Sequence, residues 1–149
     1  MTATRRLDPS PNVLRRLAAD LGRPSTRPGR VVIGWGADPY APRGAAHLLM
    51  PRVLAMLADF AVPATIRTHS PLIERDLEAL AHLARAAGLR VAYRIVTLDD
   101  VRVAARLAQA GIDVDTALLR AIGGRLDAAI GRARIAPEAP RQLRLNIAV

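Results

Sequence analysis

The sequence predicts an α/β fold in which a parallel sheet of three or four strands is flanked by helices. Short apolar, β-branched runs begin near residues 31, 64 and 90, and segments with helical periodicity separate them. Two consecutive strand–helix–strand units of this kind form right-handed crossovers and place their strands parallel in one sheet. With 149 residues, 51% of them hydrophobic, the chain is long enough for one domain with its own core.

Each predicted element has a local signal. Two helices begin at a serine–proline pair, a cap followed by proline at the first helical position, and a glycine ends three of the helices. Residues 31–33 are typical of a strand that is buried on both faces. In chain order we predict a helix over 11–22, a strand over 31–33, a helix from near Pro51 to 60, a strand over 64–69, a helix over 71–87, a strand over 90–96 and a helix that ends at Gly111.

Beyond Gly111 the pattern is less regular. Residues 114–122 and 126–134 have helical character, and residues 143–149 alternate between apolar and polar as in a half-buried strand. The chain stops inside that strand, which indicates a truncated or partnered domain over residues 1–149. Open sheet edges would make such a domain marginally stable or prone to self-association.

Composition excludes several classes of protein. There is no cysteine, so this chain alone builds no disulfide framework, zinc finger, thiol nucleophile or cysteine-bound iron–sulfur cluster. All 22 basic residues are arginine, against 13 acidic residues, which gives a net charge of +9. A solvated surface accounts for these dispersed charges, and weak, salt-dependent contact with nucleic acid is the alternative.

No targeting or membrane segment is predicted. The longest apolar runs are far shorter than the roughly 20 residues that span a bilayer. Residues 1–10 contain two arginines but no apolar stretch behind them, unlike a secretory signal. We therefore expect a cytoplasmic protein without a membrane partner.

Polar or small residues follow each of the three predicted strands. They occupy residues 34–40, Thr68 to Ser70 and Thr97 to Asp99. In parallel α/β folds the functional site lies at the carboxyl ends of the strands, so these segments are the candidate site. The alternative interpretation is that Ser70 and Asp99 only cap the helices that follow them.

Other candidate motifs are less specific. The histidines His47, His69 and His82 lack the spacing of a metal site, and we predict no metal ligand. The segment Gly34-Trp35-Gly36 lacks the third glycine and the lysine of phosphate-binding loops. We interpret its glycines as residues that allow a tight turn, and Trp35 as a packing residue.

Several short motifs resemble consecutive blocks of the radical SAM barrel, in the branch of spore photoproduct lyase and the related DNA-repair photolyases. The resemblance covers residues 10–112, whereas 113–149 diverge. Its motifs match in order and spacing. They are Asp38-Pro39-Tyr40 with Pro42, Leu49-Met50-Pro51, Thr68 with Ser70-Pro71-Leu72, Arg75-Asp76-Leu77 and Thr97-Leu98-Asp99.

This resemblance implies a partial TIM-like (β/α) barrel and a site for S-adenosylmethionine. It assigns Asp38 a role near the methionine amino group of the cofactor and places Ser70 beside the cofactor. The chain departs from the family at His69, where a lysine is expected to meet the cofactor carboxylate, at Arg94, where a serine is usual, and at Ala41. The cofactor-binding residues implied are Asp38, Tyr40, Thr68, His69, Ser70 and Thr97.

The family's three-cysteine cluster motif lies upstream of the matched blocks, and this chain begins after it. Without those thiolates the chain holds no 4Fe-4S cluster and generates no radical by itself. We therefore expect a cluster-less radical SAM domain with residual S-adenosylmethionine binding and no catalytic residue. The alternatives are one half of a split DNA-repair-type enzyme, completed by a cysteine-bearing partner chain, and a small basic module that binds nucleic acid.

Overall fold

The computed structural model describes residues 5–6, 11–44, 46–116 and 142–146, with side chains over 12–44 and 46–116. The predicted α/β class is confirmed. The described strands are β1 (Arg5–Arg6), β2 (Arg30–Ile33), β3 (Ala64–Thr68), β4 (Leu89–Tyr93), β5 (Asp113–Asp115) and β6 (Gln142–Asn146). The described helices are α1 (Pro11–Gly22), α2 (Ala46–Asp59), α3 (Leu77–Ala86) and α4 (Leu98–Gln109), and a 3-10 helix, Pro71–Asp76, precedes α3.

The described strands form one sheet in the order β1-β6-β2-β3-β4-β5, and every neighbouring pair is parallel. The three strands expected near residues 31, 64 and 90 are adjacent and parallel, as predicted. The predicted C-terminal strand is described over β6 and pairs with β2. The short strands β1 and β5 were not predicted; they stand at opposite ends and do not pair, so the described sheet is open.

Strands β3 and β4 have one apolar face and one more polar face. Side chains alternate along a strand, so every second residue points the same way. On β3 and β4, Ala64, Ile66 and Val91 are buried in the aliphatic core, where α2 packs against α3. The intervening positions are polar or only partly buried, so these strands are half-buried, whereas β2 is buried on both faces as predicted.

Polar contacts join neighbouring strands across the opposite face, which we call the open face. The Arg30 guanidinium donates to Thr65 Oγ1 at 3.1 Å, and Arg90 Nε donates to Asp113 Oδ2 at 2.9 Å. These pairs lie nearer the amino ends of the strands. The carboxyl end of the open face carries Arg67, which no described carboxylate contacts.

Helix α2 begins five residues earlier than predicted, at Ala46 instead of Pro51. Proline has no N–H to donate to the carbonyl four residues before it, which normally ends or kinks a helix. Here that carbonyl belongs to His47, and Arg75 Nη2 donates to it at 2.7 Å. A guanidinium from a distant segment thus replaces the missing donor, which allows the helix to run through Pro51.

Strands β3 and β4 end before their predicted limits. Strand β4 stops at Tyr93 because the backbone N–H groups of Val96 and Thr97 donate to Asp100 Oδ2, at 2.9 and 2.8 Å, instead of to a strand. The helix predicted over 71–87 is divided into the 3-10 helix and α3. Val114 and Asp115, predicted as helical, lie in β5, and Thr116 follows it, while the rest of the predicted helices, over 117–134, and residues 147–149 lie outside the described residues.

Among the described residues, no helix has both the length and the hydropathy needed to cross a membrane. The core is built mainly from aliphatic residues, as expected for a chain with only 3% aromatics. Its largest fully buried side chains include the two tyrosines, Tyr40 and Tyr93, each of which has a carboxylate partner for its hydroxyl.

Candidate functional site

A groove of about 350 Å³ opens at the carboxyl ends of β2, β3 and β4. It is lined by residues 34–38 after β2, by Arg67 to His69 of the β3 end, and by Ala92 and Arg94 of the β4 end. The strand alternation explains this lining, because Arg67 and His69, like Ala92 and Arg94, are two residues apart and share the open face. Two of the three segments predicted as the site therefore meet in one groove.

Asp38 joins the ends of β2 and β3. Its Oδ1 accepts hydrogen bonds from the Tyr40 backbone N–H at 2.9 Å and from Thr68 Oγ1 at 2.6 Å. Its Oδ2 accepts from the backbone N–H of His69 at 2.9 Å and lies 2.8 Å from His69 Nδ1. A carboxylate has about four acceptor positions, so three of them hold hydrogen bonds, and the ring nitrogen of His69 lies beside the fourth. The side chain of Asp38 is only 10% exposed, whereas that of His69 is 66% exposed.

Thr68 and Ser70 continue this network away from the groove. Thr68 Oγ1 donates to Asp38 and accepts from the backbone N–H of Ser70 at 3.0 Å. Ser70 Oγ in turn accepts from the Leu72 backbone N–H at 3.3 Å and caps the 3-10 helix. Thr68 lines the groove, whereas the buried Ser70 has the capping role that was its alternative interpretation.

Tyr40 lies in the core beneath the site and does not line the groove. Its hydroxyl donates to Asp76 Oδ2 at 3.1 Å, and Arg75 Nε donates to the other oxygen of Asp76 at 3.3 Å. Burial, followed by the nearby Asp76 carboxylate, raises the pKa of Tyr40 far above its ordinary value. The hydroxyl therefore stays protonated and holds the loop after β2 against the 3-10 helix.

Thr97 is placed outside the groove, as the cap of α4. Its Oγ1 accepts from the Asp100 backbone N–H at 3.3 Å, and Asp100 accepts from the Thr97 backbone in return, which forms a capping box. Tyr93 donates its hydroxyl to the other oxygen of Asp100 at 3.2 Å. Asp99, for which capping was the alternative interpretation, is instead exposed and 3.2 Å from Arg102.

Acidification is expected to remove the stability that Asp100 contributes. Burial favours its protonated form, but hydrogen bonds from the N–H groups of Val96 and Thr97 outweigh burial and lower the pKa of Asp100. A carboxyl whose pKa is lower in the folded state stabilises the fold above its unfolded pKa of about 4, and this contribution is lost as pH falls through the folded value. Asp100→Asn should therefore lower the free energy of unfolding by about 1 kcal/mol at neutral pH, and by less at about pH 3.

Urea unfolding at both pH values measures this difference. Asp99→Asn is the matched control, because that neighbouring carboxylate is exposed and pairs only with an exposed arginine. Its effect should stay below about 0.5 kcal/mol at either pH. An Asp100→Asn penalty that is equally large in acid would show that the charge of Asp100 does not stabilise the cap.

The groove also contains two arginines that the sequence-based site did not include. Arg67 lies over the ring of Trp35, 5.0 Å from the ring centroid, so Trp35 lines the groove at 44% exposure instead of packing in the core as expected. The guanidinium of Arg94 has no hydrogen bond or ion pair with any described residue. Neither guanidinium is paired with a carboxylate in the described part of the chain. The groove therefore offers one buried carboxylate and two available positive charges.

Metal ligation has no support within the described ranges. Histidine, aspartate and glutamate side chains there form no group of three that would hold an ion. His82 lies on the exposed face of α3 with Glu78 and Arg85, as predicted, and His69 is directed to Asp38.

Comparison with known proteins gives limited matches. No protein-family model matches the chain, and no solved structure gives a significant match. Uncharacterized proteins of Mycobacterium tuberculosis and Mycobacterium bovis are each 33% identical to it over 132 residues. The matched stretch is 85% of this chain but only 38% of each relative. The chain is thus similar to part of a longer mycobacterial protein and spans less than two fifths of that protein's length.

Proposed function

We propose that this chain is a segment of a radical SAM-type (β/α) barrel and that its groove binds the amino-acid moiety of S-adenosylmethionine. One observation carries the proposal: both charges of an α-amino acid have a counterpart in the same groove. Asp38 offers a carboxylate to the ammonium group, and Arg94, which has no ion-pair partner among the described residues, offers a guanidinium to the carboxylate. The motif resemblance independently assigns Asp38 the ammonium of this cofactor.

The order of four of the six described strands supports the barrel part of the proposal, whereas β6 departs from chain order by lying between β1 and β2. Strands β2 to β5 follow one another in the sheet in chain order, with a helix between each pair, as successive units of a (β/α) barrel do. The open face would then be the interior of the barrel, and its polar residues would face an enclosed space. The mycobacterial relatives have ample additional length for further barrel units.

The groove fits the cofactor but not the cluster of the radical SAM family. About 350 Å³ lies in the range of small-molecule sites, near its lower end, and the groove is open for the rest of the ligand. The chain contains no cysteine and therefore no residue to ligate an iron–sulfur cluster. Radical chemistry would need thiolates that these 149 residues do not supply.

Two of the three departures from the family motif compensate for each other in this proposal. Nδ1 of His69, which replaces the lysine expected at the cofactor carboxylate, is already directed to Asp38. Arg94, which replaces a serine, carries a positive charge in the same groove and has no ion-pair partner among the described residues. A guanidinium binds a carboxylate through two parallel N–H groups, which makes Arg94 a suitable partner.

Thermal unfolding followed by circular dichroism tests the proposal. S-adenosylmethionine and S-adenosylhomocysteine, which both carry the amino-acid moiety, are expected to raise Tm. A ligand at ten times its Kd adds about 1.4 kcal/mol, or about 3–6 °C for a chain of this size. Methylthioadenosine, which lacks that moiety, should leave Tm nearly unchanged at the same concentration.

Arg94→Ala should reduce the response to both amino-acid-bearing ligands, whereas the matched Arg85→Ala on the exposed face of α3 should not. A cooperative transition that none of the three ligands shifts would refute the proposal. A shift caused by an oligonucleotide at low salt, without any response to S-adenosylmethionine, would favour the basic nucleic-acid-binding module instead.

A further inference from the structure

We infer that His69 acts as an internal cap on Asp38: its imidazole occupies the position at Oδ2 that a ligand ammonium needs, and binding requires the ring to leave. This contact, the His69 cap, limits the affinity of the groove for ligands that carry an ammonium group. The inference rests on the proposed function, because it concerns the same site.

The cap follows from how the four acceptor positions of Asp38 are used. Two are taken by backbone N–H groups, of Tyr40 and of His69 itself, which cannot leave without moving the ends of β2 and β3. A third is taken by the hydroxyl of Thr68, which is buried and also accepts a hydrogen bond from Ser70. The imidazole of His69 covers the fourth position, with Nδ1 2.8 Å from Oδ2, and it belongs to a side chain that is 66% exposed.

The exposed imidazole is therefore the neighbour of Asp38 that a ligand can displace most easily. When it rotates away, water can satisfy its nitrogen, and the carboxylate regains one acceptor position facing the groove. A ligand that binds only the uncapped form has its affinity reduced by the fraction of molecules in that form. Displacement of one exposed polar contact corresponds to about a 3- to 10-fold change in Kd.

The same geometry makes the cap selective. A ligand group without an ammonium has no use for Oδ2 of Asp38 and does not compete with His69. The guanidinium groups of Arg67 and Arg94 lie elsewhere along the groove wall and remain available whether or not the cap is in place. Removal of the imidazole should therefore strengthen binding of ammonium-bearing ligands alone.

Calorimetric titration of the full chain tests the inference with S-adenosylhomocysteine and methylthioadenosine as probes. His69→Ala removes the imidazole but keeps the backbone N–H that donates to Asp38. We expect its Kd for S-adenosylhomocysteine to fall about 3- to 10-fold, with no change for methylthioadenosine. His82→Ala, the same substitution on the exposed face of α3, is the matched control and should bind as the unmodified chain does.

A second variant distinguishes the polar contact between the His69 ring and Asp38 from simple steric coverage of Asp38 by a ring. His69→Phe keeps a ring of similar size without a donor, and the cap predicts tighter binding of S-adenosylhomocysteine in this variant too. Measurable binding that neither substitution tightens would overturn the cap and leave the proposed function standing. If neither the unmodified chain nor the variants bind S-adenosylhomocysteine, the proposed function and the cap fall together.

Discussion

Gly34→Ala is expected to lower the free energy of unfolding by about 3 kcal/mol. Gly34 ends β2 with φ = +89°, a left-handed conformation that costs other residues about 1–2 kcal/mol. A Cβ added there would also overlap the carbonyl oxygen of Arg67 and lie 3.0 Å from Cδ of Pro39. The carbonyl belongs to β3, which pairs with β2, so it cannot retreat without disturbing the sheet. Urea unfolding measures the loss.

Two other glycines distinguish the two causes of the Gly34→Ala destabilisation, which are backbone strain at positive φ and crowding by the added Cβ. Gly111 also has a positive φ, of +83°, but a Cβ there would meet nothing within 4 Å, so Gly111→Ala should cost only the backbone strain of about 1–2 kcal/mol. Gly22 ends α1 with open space around it, and Gly22→Ala should be neutral or slightly stabilising. If Gly34→Ala lowers the free energy of unfolding no more than Gly111→Ala does, then crowding against the Arg67 carbonyl of β3 does not contribute to the effect.

Local patterns were sufficient to predict the central part of the fold. The strands near residues 31, 64 and 90 and the intervening helices depend on apolar periodicity and on glycine and proline signals, which act over a few residues. The predicted start of α2 was wrong because the helix depends on a distant residue. The guanidinium of Arg75 donates to the carbonyl of His47, 28 positions away in the sequence, and so replaces the donor that Pro51 lacks. No local rule contains such a contact.

The part of the candidate site that was predicted follows from one rule, that functional sites in parallel α/β folds lie at the carboxyl ends of the strands. Asp38, Thr68 and His69 meet because the carboxyl ends of adjacent parallel strands share one edge of the sheet. The structure places the side chains of Tyr40 and Ser70 outside the groove, directed into the core and to a helix end. The hydroxyl of Thr97 likewise lies outside the groove and caps α4.

Arg67 and Arg94 were not among the predicted site residues. Nothing local distinguishes Arg67 among 22 arginines, and Arg94 was identified only as a departure from the serine of the family. The alternation of side chains along the strands shows which arginines face the groove. Arg67 precedes His69 by two residues, and Arg94 follows Ala92 by two, so each pair lies on one face. The register of β3 with β4, in which Arg67 is opposite Ala92, then brings both arginines to the same groove.

Asp38→Asn is expected to weaken binding of S-adenosylhomocysteine about 10- to 100-fold. The substitution removes the negative charge that would face the ligand ammonium, and a hydrogen bond between charged groups contributes about 1.5–3 kcal/mol. Either orientation of the amide also directs its NH₂ group at a donor, of Thr68 and Tyr40 on one side or of His69 on the other. The free energy of unfolding should therefore fall by about 1–3 kcal/mol.

Calorimetric titration gives the affinity, and a thermal melt of the same sample shows that the variant is folded. Asp113→Asn is the matched control, since Asp113 lies on the open face in an ion pair with Arg90, away from the groove. It should bind S-adenosylhomocysteine as the unmodified chain does. Undiminished binding by folded Asp38→Asn would show that Asp38 does not receive the ammonium.

The double variant Asp38→Asn with His69→Ala tests whether the ligand ammonium and the His69 ring contact the same carboxylate oxygen of Asp38. If the ligand ammonium and the His69 ring compete for one oxygen of Asp38, removal of the ring improves affinity only while that oxygen carries its charge. The gain from His69→Ala should therefore disappear in the Asp38→Asn background, and the two effects should be non-additive, as expected for groups in direct contact. Additive effects would mean that His69 acts on the ligand by a route that does not include Asp38.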